Sequence, residues 1–122
     1  MNIKIIAVGK LKEKYLQDAL AEYSKRLSKY CNLNIIELPD EKLPNNLNDS
    51  LINQIKGKES NNILSHIEKG SYVLALDLKG KQYSSEEFSQ KITNISLNSS
   101  SNITFIIGGT LGLDENVLKN SN

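Results

Sequence analysis

The stretch that most constrains this chain is residues 103–113, ITFIIGGTLGL, an apolar run that stops at a glycine pair and is followed by a third glycine. Ile103, Phe105, Ile106 and Ile107 are β-branched or aromatic and almost continuous, which suits a strand covered on both faces, as in a parallel sheet. Gly108 and Gly109 then permit backbone angles and close approaches that a Cβ would block. Asp114 is a fitting N-cap for a helix through Val117 and Leu118. The glycine loop is thereby set at the carboxyl end of a strand, where open α/β sheets take their ligands. The same turn also serves simply as a tight strand-to-helix connection, and GGTLG is neither GxGxxG nor a P-loop. On the turn alone both readings stand.

The rest of the chain repeats the strand-then-helix theme. Residues 3–8 read as a first strand ending at Gly9. Leu16, Ala19, Leu20, Tyr23, Leu27 and Tyr30 then form one stripe at helical spacing, most simply a core face. Residues 33–38 give a second strand closed by Pro39, followed by a polar loop. A second helix is expected over roughly 51–69, with Ile52, Ile55, Ile63 and Ile67 on one side and Gly57 weakening its middle. Residues 71–78, SYVLALDL, read as a third strand, with Gly80 in the turn after it. Ser84 and Glu87 fit a capping box, and Phe88, Ile92 and Ile95 continue at helical spacing. Because helical crossovers make neighbouring strands parallel, the order β-α-β-α-β-α-β predicts an open, mainly parallel α/β sheet with helices on both faces.

Length and composition bound the function. One domain fits 122 residues, and no apolar run approaches membrane-spanning length or forms a secretory leader. Cys31 is the only cysteine, which excludes an internal disulfide and a cysteine metal cluster and suits the cytosol. His66 has no second histidine or carboxylate at metal-ligand spacing, so no metal is expected. A net charge of +1 argues against broad electrostatic attachment to nucleic acid, yet Lys10, Lys12 and Lys14 cluster, as do Lys25, Arg26 and Lys29. From charge alone these are solvated faces. Asp77, near the end of the third strand, suits either a ligand hydroxyl or the turn itself.

Four segments, taken together, point to a family: VGKLKEKYLQDALAEYSKRL near the start, IIELPDEK after the second strand, LDLKGKQYSSEEF after the third and IIGGTLGL after the fourth. In order and spacing they resemble the RlmH family of ribosomal RNA methyltransferases, of the SPOUT or α/β-knot superfamily. The resemblance implies a cytoplasmic homodimer that uses S-adenosylmethionine to methylate N3 of a pseudouridine in 23S ribosomal RNA of the assembled ribosome. It implies Leu76 and Gly108 as cofactor-binding positions, and Lys10, Lys12 and Lys14 as candidates for RNA contact. It assigns no catalytic base here, because the family's later cofactor segment, its knot and its carboxyl-terminal histidine and arginine lie beyond the point matching Asn122. The chain is therefore expected to form a single methyltransferase-like domain over 1–122, shorter than the family, with the knot region absent and apolar surface uncovered. Two other readings follow: a non-catalytic remnant acting as a ribosome-associated or dimerising module, and an unrelated nucleotide-binding α/β domain. The second predicts preference for a phosphorylated nucleotide, which the loop has no pattern to cradle.

Overall fold

In the computed structural model, which describes all of residues 1–122, the apolar runs form four strands: β1 (Asn2–Val8), β2 (Asn32–Leu38), β3 (Tyr72–Leu76) and β4 (Asn102–Ile107). Helices α1 (Lys14–Leu27), α2 (Asp49–Ser65), α3 (Ser85–Asn98) and the short α4 (Glu115–Lys119) alternate with them. Every pairing is parallel, in the order β2-β1-β4-β3. The α/β architecture expected from the sequence is the one observed.

Register decides which side chains share a face, since successive residues of a strand point to opposite sides. Ile6 aligns with Ile36 and Ile106, and Ile106 with Ala75. On that face Ile6, Val8, Leu38, Val73 and Ile106 meet Ile63 of α2 and Val117 of α4 in the main core. Ile6, Ile106 and Val117 are fully buried, each worth about 1.5–3 kcal/mol relative to exposure. The opposite face presents Ile5, Ile35, Phe105 and Leu74 in one row. There α3 lays Phe88 against Phe105, with ring centroids 6.0 Å apart. Leu20 of α1 borders the same cleft as Ile5 and Ile35. At the amino edge, Asn32 Nδ2 donates to Asn2 Oδ1 (3.0 Å) and Asn2 Nδ2 to Asn102 Oδ1 (2.9 Å), pinning three aligned strands.

Local chemistry explains the boundaries. Ser84 and Glu87 form the expected capping box at α3. Asn48, rather than a residue nearer Leu51, caps α2 by accepting from Leu51 N–H at 2.8 Å, so the helix begins earlier than expected. It runs unbroken through Gly57 and stops at Ser65 instead of reaching Lys69. His66 is its C-cap, and the His66 and Ile67 N–H groups turn back to the Ile63 and Leu64 carbonyls. The third strand ends at Leu76, two residues short of expectation, because Asp77 folds the chain over. Its Oδ2 accepts from Lys79 N–H (3.2 Å) and its carbonyl from Gly80 N–H (3.0 Å). Asp114 stands at the N-cap of α4 as expected but makes no side-chain capping bond.

The stripe on α1 requires the larger correction. No residue of α1 is buried, and Leu16, Tyr23 and Leu27 are 38%, 62% and 41% exposed. The periodicity is helical and Leu20 is partly buried toward Ile5 and Ile35, but the rest of the stripe is only partly covered by the sheet and stays exposed.

Candidate functional site

The carboxyl edge of the sheet is shaped by where each strand's chain goes next. β1 and β3 lead into α1 and α3 on one face, whereas β4, between them, leads into α4 on the other. Connections leaving to opposite faces open crevices at strand ends, the usual ligand position in open α/β sheets. Leu76 and Ile107 are aligned partners at the ends of β3 and β4. Leu76 is 54% exposed, and Gly108 follows Ile107 directly. The structure therefore brings the two expected cofactor positions to one edge.

The glycines of the loop have identifiable packing reasons. A Cβ on Gly108 would lie 2.9 Å from Leu113 Cδ2 and 3.0 Å from the Gly112 carbonyl carbon. The loop folds back on itself: Gly112 N–H donates to Gly109 O at 3.0 Å, and Gly112 takes φ +83, a conformation that favours glycine. A Cβ on Gly109 would meet Val8 Cγ1 at 3.1 Å and, at 3.3 Å each, Asp40 Oδ1 and Glu59 Oε1. Asp40 also crowds Gly9, whose Cβ would lie 3.0 Å from Asp40 Oδ2 and whose φ is +108. A single carboxylate thus occupies the space beside the ends of both β1 and β4.

Two ligand-sized hollows flank β4 on the α1/α3 face. One, of about 520 Å³, is bounded by Leu74, Leu76, Asp77, Tyr83, Phe88 and Phe105. The other, of about 430 Å³, is bounded by Ile5, Ala7, Gly9, Lys10, Leu20 and Ile107. Both are predominantly apolar with a few polar groups, the composition typical of small-molecule sites. The first opens beside Leu76, so its size and lining suit an apolar ring and a ribose-sized group. Lys10 and Lys12 lie in the β1–α1 loop and Lys14 opens α1, all exposed at this same edge.

Glu59 of α2 was not singled out in the sequence. It is 9% exposed, its Oε2 accepts from Glu41 N–H at 3.4 Å, and its Oε1 faces Gly109. Loss of water through burial raises its pKa above the usual carboxylate value. The Glu41 N–H opposes that shift, while the nearby Asp40 and Glu41 charges add to it. A lone glutamate in a polar helix carries no sequence signal; only its position beneath the glycine loop distinguishes it.

The remaining candidates have structural roles. His66 Nδ1 donates to Asn62 O at 2.8 Å at the end of α2. Cys31 is buried, with Sγ 3.6 Å from Leu27 O. Asp77 holds its own turn, as described above. No group of three or more His, Cys, Asp or Glu side chains is arranged to hold a metal, and no helix is long and apolar enough to cross a membrane.

Comparison with known proteins agrees with this architecture. The family described as "Predicted SPOUT methyltransferase" matches residues 1–122. The chain is 60% identical over 122 residues to ribosomal RNA large subunit methyltransferase H of Clostridium botulinum (strain 657 / Type Ba4). It is 55% identical, also over 122 residues, to the protein of the same name from Pediococcus pentosaceus. Each alignment takes in 100% of this chain and 77% of the relative. With a family match along its whole length, and the parallel α/β sheet that such a match requires, this chain belongs to the SPOUT methyltransferase family.

Proposed function

We propose that residues 1–122 form a single methyltransferase domain that acts on ribosomal RNA of the large subunit with S-adenosylmethionine as methyl donor. The finer target is N3 of a pseudouridine in 23S RNA of the assembled ribosome. The observation that carries the reading is that Leu76, which lines a hollow of ligand size, and Gly108, which follows its register partner Ile107, lie at one sheet edge, in a chain 60% identical to a protein named for large-subunit RNA methylation.

When bound, S-adenosylmethionine supplies an electrophilic methyl on a sulfonium leaving group. What remains for the protein is alignment and removal of the N3 proton. Leu76 offers an exposed apolar surface against which an adenine ring would lie. Gly108 holds its loop close to the strand end, where backbone groups can face a ligand without an intervening side chain. Lys10, Lys12 and Lys14, exposed at the same edge, would meet RNA phosphates. No residue of this chain is assigned as the base.

A homodimer and a cytoplasmic setting belong to the same proposal. The exposed Leu16, Tyr23 and Leu27 on α1 support a second copy as the cover for that stripe.

Calorimetric titration of the chain with S-adenosylmethionine tests the cofactor assignment. A saturable isotherm that weakens with Leu76→Ala supports it; no heat of binding would leave the non-catalytic ribosome-associated or dimerising module as the better reading.

A further inference from the structure

Beneath the glycine loop one side chain is out of keeping with a purely structural role. Glu59 stands on the buried side of α2, 9% exposed, with Oε1 toward Gly109 and Oε2 accepting from Glu41 N–H. Oε1 takes no hydrogen bond from the protein. A carboxylate so placed costs folding free energy unless a cation pairs with it. None does: the molecule's three ion pairs are Lys4–Glu68, Arg26–Glu22 and Lys119–Glu115, and the cations nearest in the chain or across the loops, Lys10, Lys42, Lys56 and Lys58, enter no pair. The charges that do act on Glu59, those of Asp40 and Glu41, have its own sign.

The location of this group is specific. Glu59 Oε1 and Asp40 Oδ1 each lie 3.3 Å from the point where a Gly109 Cβ would be, so both carboxylates crowd the second glycine of the loop. A hollow of about 180 Å³ separates the β2–α2 loop from the glycine loop, bounded by Asp40, Glu41, Leu43, Glu59, Thr110 and Leu111. Residues 108–113 carry no charge of their own, and with glycine at 109 no side chain screens the carboxylates from the loop backbone. Asn122 takes no part in this arrangement. It lies on Val73 of β3, at the sheet edge opposite β2.

An unneutralised carboxylate behind a ligand loop makes the potential there negative, and burial strengthens its field relative to water. Such a field favours a cation. The two ligands that the methyltransferase reading brings to this edge differ by one positive charge: S-adenosylmethionine is a sulfonium, whereas the thioether left after methyl transfer is neutral at sulfur and otherwise the same. We propose that Glu59 is a specificity-determining residue of the cofactor edge, favouring the sulfonium cofactor over its thioether product. The inference rests on the methyltransferase reading above and adds to it a means of product release, since the attraction ends when the methyl group leaves. Stability given up for ligand discrimination accounts for a buried charge that a glutamine in its place would not impose.

The test is calorimetric titration of the full chain, at one mildly alkaline pH, with S-adenosylmethionine and separately with S-adenosylhomocysteine. Glu59→Gln, which keeps an acceptor for Glu41 N–H, should weaken binding of the sulfonium about fivefold or more and of the thioether less than about twofold, the scale of one charge–charge interaction in a partly water-excluded site. Asp40→Asn, at an exposed position where the fold is not at risk, should move the ratio of the two affinities in the same direction by a smaller amount. Glu59→Asp keeps the charge and should retain most of the preference, with circular dichroism confirming the fold of each variant. Equal weakening of both ligands by Glu59→Gln would make Glu59 a prop for the loop and overturn the proposal, as would full loss of the preference in Glu59→Asp. Binding of both ligands with a ratio unmoved in Glu59→Gln and Asp40→Asn would sink this inference alone. Failure of the unsubstituted chain to bind either ligand would sink the methyltransferase reading and the inference with it.

Discussion

Leu76 and Ile107 are register partners at the carboxyl ends of β3 and β4, which places Leu76 diagonally across from Gly108. Leu76 is more than half exposed, so little of the fold depends on it. Leu76→Ala is expected to change stability by less than about 1 kcal/mol, while affinity for S-adenosylmethionine falls about tenfold, in line with a lost apolar ligand contact. Denaturant unfolding and calorimetry on one preparation would separate the two effects. A large loss of stability would show that Leu76 is structural.

Gly108→Ala should behave differently. Its Cβ would press on Leu113 and on the Gly112 backbone, and Leu113 belongs to the main core. Overpacking of this kind typically destabilises by about 1–3 kcal/mol. The expected result is a lower Tm together with weakened cofactor binding, because the strain falls on the loop itself.

Glu59 gives a pH-dependent prediction. Its folded pKa is raised by burial, so the folded state holds the proton more tightly than the unfolded chain. Stability from this group is therefore present at pH below the ordinary carboxylate value and is lost as pH rises through the raised folded value. Glu59→Gln keeps an acceptor for Glu41 N–H and removes the charge. At neutral pH it should raise Tm by a few degrees, and the advantage should shrink as pH falls below the ordinary range. Thermal melts at several pH values would show it; a constant difference would contradict the assignment.

At the start of α3 the sign is opposite. The Ser84 N–H, and then the Ser84 hydroxyl, hold the exposed Glu87 carboxylate below its usual pKa, so the stability it contributes is present at neutral pH and is lost as pH falls through the lowered folded value. Ser84→Ala removes the cap and should cost about 1 kcal/mol. The lost bond, from Glu87 N–H to the Ser84 hydroxyl, does not titrate, and the Ser84 backbone N–H survives the substitution, so most of this loss should persist in acid. Melts of Glu87→Gln and the parent, by contrast, should converge there.

The α1 stripe predicts an association effect. Replacing Leu16 and Leu27 with Ser should leave monomer stability within about 0.5 kcal/mol, as for exposed positions. Sedimentation should nonetheless show a smaller assembled fraction than for the parent chain. An unaltered distribution would mean that α1 is not the contact.

The fold class, the parallel sheet and the α3 cap were legible in the residues themselves, because they rest on local causes. Continuous β-branched runs require burial on both faces, helical crossovers require parallel neighbours, and Ser84 and Glu87 satisfy each other three residues apart. The resemblance of four ordered segments carried the family, and with it the choice of Leu76 and Gly108. Where tertiary structure decided the outcome, the cause was nonlocal. Periodicity marks a face on α1 but cannot say whether the sheet is wide enough to cover it. Asp77 ended β3 early through a turn that competes with the ladder. Glu59 became notable only because α2 lies under Gly109. Local pattern fixes which elements form; packing alone determines which side chains, distant in sequence, come to share an edge.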